Sequence, residues 1–145
     1  MSQNIVFIFA KGADIFSIED CLKNNWIVRK VMRPNEQFDL QVQEHDGIAS
    51  ALKYVNIGEM QPQEEVENEY KNDDIFDEGF RTSLLGHKFY SVTFNDLDLC
   101  NRVVEKLLKL TANLENCWVD NGYGKAIRAD TALKNILANP QWDWQ

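Results

Sequence analysis

The sequence lacks any long hydrophobic run. Its longest apolar stretch is IVFIFA, Ile5–Ala10, far shorter than the roughly 20 residues that a membrane-spanning helix needs. No basic segment precedes this run and Lys11 follows it directly, so we do not expect a secretory signal either. The run predicts a buried β-strand, and the chain is expected to be cytoplasmic with no membrane partner.

Cysteine and histidine are both scarce. Cys21, Cys100 and Cys117 are odd in number and have no C-x-x-C spacing, which argues against a disulfide framework and against a zinc knuckle. His45 and His87 form no paired metal-ligand pattern. We therefore predict reduced thiols, no metal and no cofactor.

No catalytic signature is complete. Gly122 and Gly124 match neither the G-x-x-x-x-G-K nor the G-x-G-x-x-G phosphate-binding pattern. The three cysteines are interpreted as core residues, because a nucleophile needs a histidine base and a site that favours the thiolate. Nothing positions two carboxylates against an apolar pocket, as tuned pKa values would require. We predict no catalytic residue, and the chain is not expected to be an enzyme.

Clusters of basic residues are also missing, although the net charge of −8 is large. The segment Glu59–Glu78 holds nine acidic residues and one base, Lys71, so it carries the whole net charge while the remainder is balanced. Nucleic acid is therefore not expected as a partner, because its binding requires clustered Lys and Arg. A basic protein would be attracted to this segment.

The run EEVENEYKNDDIFDE within that segment mixes carboxylates with aromatic side chains. Purely solvating linkers have few aromatics, whereas aromatic anchors with a charged rim are typical of protein interfaces. The spacing does not fit a calcium-binding EF-hand loop, but a metal site and a merely solvated loop stay open, as does the choice between helix and loop. The predicted partner-binding residues are Glu64, Glu65, Glu67, Glu69, Tyr70, Asp73, Asp74, Phe76, Asp77 and Glu78.

The chain of 145 residues is 44% hydrophobic, which suits one folded domain over residues 1–145 with an acidic insertion at about 59–86. Short runs predict strands, and stripes at helical spacing predict helices after Asp14, after Asn95 or Asp96 and after Asp130. Cys100 to Leu114 forms the clearest helical stripe. The strands are expected at Ile5–Ala10, Trp26–Arg33, Phe38–His45, Ser50–Ile57 and Lys88–Asn95, and in a hairpin around Asn121-Gly122.

The order of these elements predicts an α+β fold: a mostly antiparallel sheet with helices on one face. Each half contains β-α-β-β, which suggests a pseudo-repeat with a ferredoxin-like or related split β-α-β arrangement. The pair Asn121-Gly122 predicts a type I′ turn, so VDNGYG is interpreted as a structural hairpin.

The segment CWVDNGYGKAIRADTALKNILANPQWDW resembles the ending of small bacterial immunity-type proteins, which accompany secreted or contact-delivered toxins. The resemblance lies in Trp118, Val119, Asp120, Asn121, Tyr123 and Gly124; Gly122 departs from the pattern, in which Asp is the more usual residue. It implies a cytoplasmic, non-enzymatic protein that binds and blocks a cognate toxin.

Together with the localised acidity, the resemblance suggests an inhibitor of a basic toxin such as a nuclease, acting by occlusion. Two alternatives stay open. One is an enzyme acting on a small molecule near VDNGYG. The other is a non-catalytic interaction protein whose acidic loop only adds solubility.

Overall fold

The structure is a computed structural model that describes residues 3–9, 14–34, 37–45, 53–84, 86–110, 117–122 and 124–144. Within these ranges the chain forms seven strands and five helices, in the order β-α-β-β-β-α-α-β-α-β-β-α. The strands are β1 (Gln3–Phe9), β2 (Ile27–Met32), β3 (Phe38–Gln43), β4 (Val55–Glu59), β5 (Lys88–Phe94), β6 (Trp118–Asp120) and β7 (Ala126–Arg128). The helices are α1 (Ile15–Lys23), α2 (Gln63–Asn72), α3 (Glu78–Thr82), α4 (Leu97–Leu110) and α5 (Ala129–Ala138).

The strands form one sheet in the order β2-β3-β4-β5-β1-β6-β7. Every pairing between described strands is antiparallel. Because β5 and β6 both pair with β1, they run parallel to each other, and α4 joins them in a split β-α-β unit. The predicted α+β class with an antiparallel sheet is therefore confirmed.

The central strands β6-β1-β5-β4, with α1 and α4, reproduce the strand order of a ferredoxin-like core. The hairpin β2-β3 extends this core on the β4 side, and β7 extends it on the β6 side. The predicted β-α-β-β order is present in both halves. The halves differ because the first one adds β4, which pairs with β5 of the second half.

One face of the sheet is covered by α1, α4 and α5. Side chains that alternate along β3, β4 and β5 point to this face and are buried there. They meet the apolar stripe of α4, where Val103, Val104, Leu107 and Leu108 recur at helical spacing. This layer matches the predicted helices on one face.

The acidic segment forms α2 and α3, and these helices pack on the opposite face, contrary to the prediction of helices on one face only. Phe89 of β5 and Trp118 of β6 point to this side and meet Val66, Phe76 and Phe80 in a second core. Apolar residues in the acidic run are sparse, and the four-residue spacing of Val66 and Tyr70 is the one sign of a buried face in its sequence. Packing on Phe89 and Trp118 supplies the apolar contact that makes these helices stable.

Two of the three predicted N-cap residues cap their helices in the structure. Asp14 caps α1 by accepting a hydrogen bond from the Ser17 amide at 2.8 Å. Asp96 accepts from the amide of Leu99 at 2.9 Å, at the start of α4. Asp130 is not the cap of α5, which begins one residue earlier, at Ala129.

Two predicted boundaries fall partly on residues outside the described ranges. The described part of the fourth strand begins at Val55, after Lys53 and Tyr54, which are not in a strand, and residues 46–52 lie outside the described ranges. Leu114, predicted at the end of the α4 stripe, also lies outside them.

The C-terminal segment is held against the domain by two buried asparagines. Asn101 of α4 accepts a hydrogen bond from the Trp144 indole at 2.8 Å and donates to the carbonyls of Pro140 and Trp142. Asn121 donates to the carbonyl of Trp144 at 2.8 Å. The Trp144 side chain is 1% exposed. One amide side chain therefore binds three polar groups of the C-terminal segment, among them the buried indole N–H of Trp144.

Replacing Asn101 by Ala should lower the free energy of unfolding by about 1–3 kcal/mol, because the indole N–H of Trp144 loses its acceptor. Urea denaturation monitored by tryptophan fluorescence measures this change. Asn68→Ala on the exposed side of α2 is the matched control, with an expected change within about 0.5 kcal/mol. Equal stability of the two variants would contradict the anchoring role of Asn101.

Candidate functional site

The acidic run folds into α2 because its local sequence favours a helix there. Pro62 occupies the N-cap position, Glu64 and Glu65 lie in the first turn, and Lys71 lies in the last. This charge order complements the helix dipole. Val66 and Tyr70 are four residues apart, so both turn toward the sheet and pack into the second core.

Seven of the predicted carboxylates are exposed on α2, on α3 or on the segment between these helices. Across the described ranges, no Lys or Arg nitrogen lies within 4.0 Å of any of them. They are Glu64, Glu65, Glu69, Asp73, Asp74, Asp77 and Glu78. Together they form a surface of uncompensated negative charge, here called the acidic layer.

Glu67 does not belong to this set. It pairs with Lys71 at 3.2 Å and accepts a hydrogen bond from the amide of Gly86 at 3.3 Å. Its charge is therefore compensated within the fold, and its role is to join α2 to the loop before β5.

Tyr70 and Phe76, predicted as exposed anchors for a partner, are structural. The Tyr70 ring stacks on Phe89 with centroids 5.7 Å apart, and Phe76 is only 8% exposed against Phe80. The large apolar side chain that this segment exposes is Ile75, at 63%. The four-residue spacing of Val66 and Tyr70 was the sequence signal for a buried stripe.

The Tyr70 hydroxyl links the acidic layer to the VDNGYG hairpin. It donates to the Asp120 carboxylate at 2.7 Å. Burial raises the pKa of Tyr70 above its ordinary value, and the adjacent Asp120 charge raises it further. The hydroxyl therefore keeps its proton and remains a donor at neutral pH.

The predicted hairpin is present, since β6 and β7 pair antiparallel, but its turn is not type I′. A type I′ turn requires positive φ at both central residues, and of the described non-glycine residues only Trp144 has positive φ. Gly122 and Gly124 adopt φ of 79° and 81° instead. Asn121 is buried and exchanges hydrogen bonds with Lys125 across the loop.

Asp120 thus joins the hairpin to α2, and Asn121 joins it to the C-terminal segment. Tyr123 lies outside the described ranges. A search of the described residues finds no group of three or more His, Cys, Asp or Glu side chains that could hold a metal ion.

The cysteines are free, with Cys100 and Cys117 buried and Cys21 partly buried. Burial raises the pKa of the Cys21 and Cys100 thiols. A raised pKa lowers the thiolate fraction, so these two side chains have the environment of structural rather than nucleophilic cysteines.

A cleft of about 550 Å³ lies beside α2, on the face of the sheet where α2 and α3 pack. It is lined by α2 and by parts of β3, β4 and β5 that these helices do not cover. At its β3 edge, Arg33 donates to the Asp39 carboxylate through Nε at 2.8 Å and Nη2 at 2.5 Å. Arg33 also donates to the Glu59 carbonyl at 3.0 Å. This ion pair lies directly over Gly58, where a Cβ atom would stand 1.9 Å from Asp39 Oδ1. Only glycine leaves room for the pair.

Comparisons with protein-family models, with curated proteins and with solved structures find no match. No helix in the described part of the chain is both long and apolar enough to cross a membrane. The candidate site therefore rests on the geometry of the acidic layer and its cleft.

Substitutions of Tyr70 should act on stability. We expect Tyr70→Phe to lower the free energy of unfolding by about 1–2 kcal/mol, because Asp120 loses its donor. Tyr70→Ala should cost about 3 kcal/mol or more through lost packing. Chemical denaturation tests both, with Ile75→Ala as an exposed control expected to change stability by less than about 0.5 kcal/mol. A wild-type unfolding curve for Tyr70→Ala would show that the ring is not part of a core.

Gly58→Ala should destabilise the protein by about 1–3 kcal/mol, because the added methyl group forces the Arg33–Asp39 pair out of position. Gly79→Ala is the matched control: no atom lies within 4 Å of its Cβ position in α3, so it should be neutral or stabilising by about 0.5–1 kcal/mol. Thermal unfolding of the two variants distinguishes the steric effect from the general effect of replacing glycine. Equal melting temperatures would contradict the close approach.

Proposed function

We propose that this chain is an immunity-type protein that binds a basic protein toxin through the acidic layer and occludes it. The observation that carries the proposal is the set of seven exposed carboxylates without basic partners. Surface carboxylates that already have ion pairs inside the fold offer little to a partner. These seven offer their full charge.

The second core favours binding by holding these charges in place. The helices α2 and α3 are packed through Phe76 and Phe80, and Arg81 donates to the Phe76 carbonyl at 3.0 Å. A charged surface that is ordered before binding loses less conformational entropy on association than a disordered acidic tail would. Its charge also steers a cationic partner and raises the association rate.

The resemblance to immunity-type proteins supports the same surface. Two of its residues lie under the acidic layer: Trp118 packs edge-on against Phe80 at 5.1 Å, and Asp120 accepts from Tyr70. The hairpin therefore supports the two helices. In a toxin that cleaves nucleic acid, the carboxylates would occupy the cationic groove in place of phosphate, which blocks the substrate by charge and by volume.

The experiment measures binding to the purified basic C-terminal domain of the toxin encoded beside this chain, at low and high salt. Neutralising Asp74 and Asp77 to Asn should slow association about fivefold at low salt and flatten its salt dependence, since exposed charges act mainly on encounter. The dissociation rate should change little, and stability should stay the same or rise because like charges repel.

Asp20→Asn with Asp130→Asn is the matched control. It removes the same charge from exposed positions on α1 and α5, which lie on the other face of the sheet. Equal association rates for the two double variants would contradict the acidic layer as the binding surface. Absence of any toxin gene beside this one, or absence of binding, would contradict the proposed function itself.

A further inference from the structure

The cleft beside α2 has the size of a ligand site, since such sites commonly enclose about 300–1,000 Å³ and this one encloses about 550 Å³. Its floor comes from β3, β4 and β5, and α2 forms one wall. We infer that this cleft binds a guanidinium or alkylammonium group. This inference rests on the proposed function: the group that occupies the cleft is an arginine or lysine side chain of the basic partner.

The charge balance of the cleft selects a cation. Three carboxylates, those of Asp39, Glu65 and Glu69, line it together with one guanidinium, that of Arg33. Glu59 contributes its backbone, because its side chain points to the other face of the sheet beside Tyr90. Arg33 is already bonded to Asp39 and to the Glu59 carbonyl. The lining therefore keeps two net negative charges, which oppose an anion and attract a cation.

Two of these carboxylates are positioned to act together. Glu65 and Glu69 are four residues apart, so they lie on the same side of α2. Both are exposed, and within the described ranges neither has a Lys or Arg nitrogen within 4.0 Å. Like charges at this spacing disfavour the helix, and a cation held between them removes that repulsion.

The floor of the cleft is polar rather than apolar, with Asn56, Ser91 and Thr93 at its base. The Oδ1 atom of Asn56 is buried and has no hydrogen-bond partner among the described residues. A buried acceptor without a donor is unfavourable. Rotation of the amide about its broad terminal torsion turns this oxygen toward the cleft, where an N–H donor can satisfy it.

A planar cation with several N–H donors meets all of these conditions. Guanidinium can donate to carboxylates on the wall and to an amide oxygen on the floor at the same time. An alkylammonium shares the charge and has three donors, but it lacks the planar fork. The cleft is therefore expected to prefer guanidinium.

The probe is N-acetyl-L-arginine amide, titrated into the isotopically labelled full chain and followed by amide NMR shifts. Saturable shifts are expected at Asn56, Gly58, Ser91 and Thr93. N-acetyl-L-citrulline amide, a neutral compound of nearly the same shape, should bind at least tenfold more weakly. Equal binding of the two compounds, or shifts without saturation, would overturn the inference.

Two double variants with the same loss of charge locate the site. Glu65→Gln with Glu69→Gln should weaken the arginine probe at least tenfold. Asp74→Asn with Asp77→Asn, outside the cleft lining, should weaken it less than threefold. Equal weakening would mean that the probe senses only the general acidity of the layer, and the cleft assignment would then be wrong.

A third measurement distinguishes a side chain of the partner from a free cation as the occupant of the cleft. It also tests the cleft assignment separately from the proposed toxin binding. If the partner inserts a side chain, Glu65→Gln with Glu69→Gln should speed dissociation of the toxin domain at least tenfold, and the arginine probe should compete with that domain. Saturable probe binding without an effect on the toxin domain would assign the cleft to a free cation and overturn the inserted side chain. Saturable probe binding with no toxin binding at all would support the cleft and contradict the proposed function.

Discussion

Burial on both faces of the central strand β5 is the constraint on which the rest of the structure depends. Phe89 and Tyr90 are adjacent in sequence, so their side chains point to opposite faces of the sheet, yet both are fully buried. Tyr90 is buried by α1 and α4, whereas Phe89 lies on the opposite face and is buried by other elements. The acidic helices α2 and α3 cover Phe89, and this places the charged surface over the middle of the sheet.

This arrangement joins a stabilising and a destabilising contribution in one segment. Val66, Phe76 and Phe80 gain free energy by leaving water, while the carboxylates on the outer side of the same helices repel one another. Only the Glu67–Lys71 pair offsets some of that repulsion inside the segment. Such uncompensated charge on an ordered surface is unfavourable for the isolated protein and favourable for binding a cation, which gives the acidic layer and its cleft one common physical basis.

Patterning predicted a large part of the fold. Strict alternation in β3 and the long stripe of α4 identified their elements correctly, because each has one face in the main core and these periods are visible in the sequence. The order of the other elements also matched, whereas the acidic segment, for which helix and loop both stayed open, forms α2 and α3. One error falls where residues have two roles: Asp120 and Asn121 resemble ordinary turn residues, yet they bind Tyr70 and Trp144 from distant parts of the chain.

By itself, the sequence determined the fold class, the location of the net charge and the absence of a complete catalytic signature, because composition, period and local motifs depend only on neighbours along the chain. Tertiary structure alone decided which side chains in the acidic run are buried. Tyr70 and Phe76 differ from exposed anchors only through contacts with Phe89 and Phe80. The cleft was equally invisible, because Arg33, Gly58 and Glu69 come from separate elements and meet only when the sheet and α2 pack together.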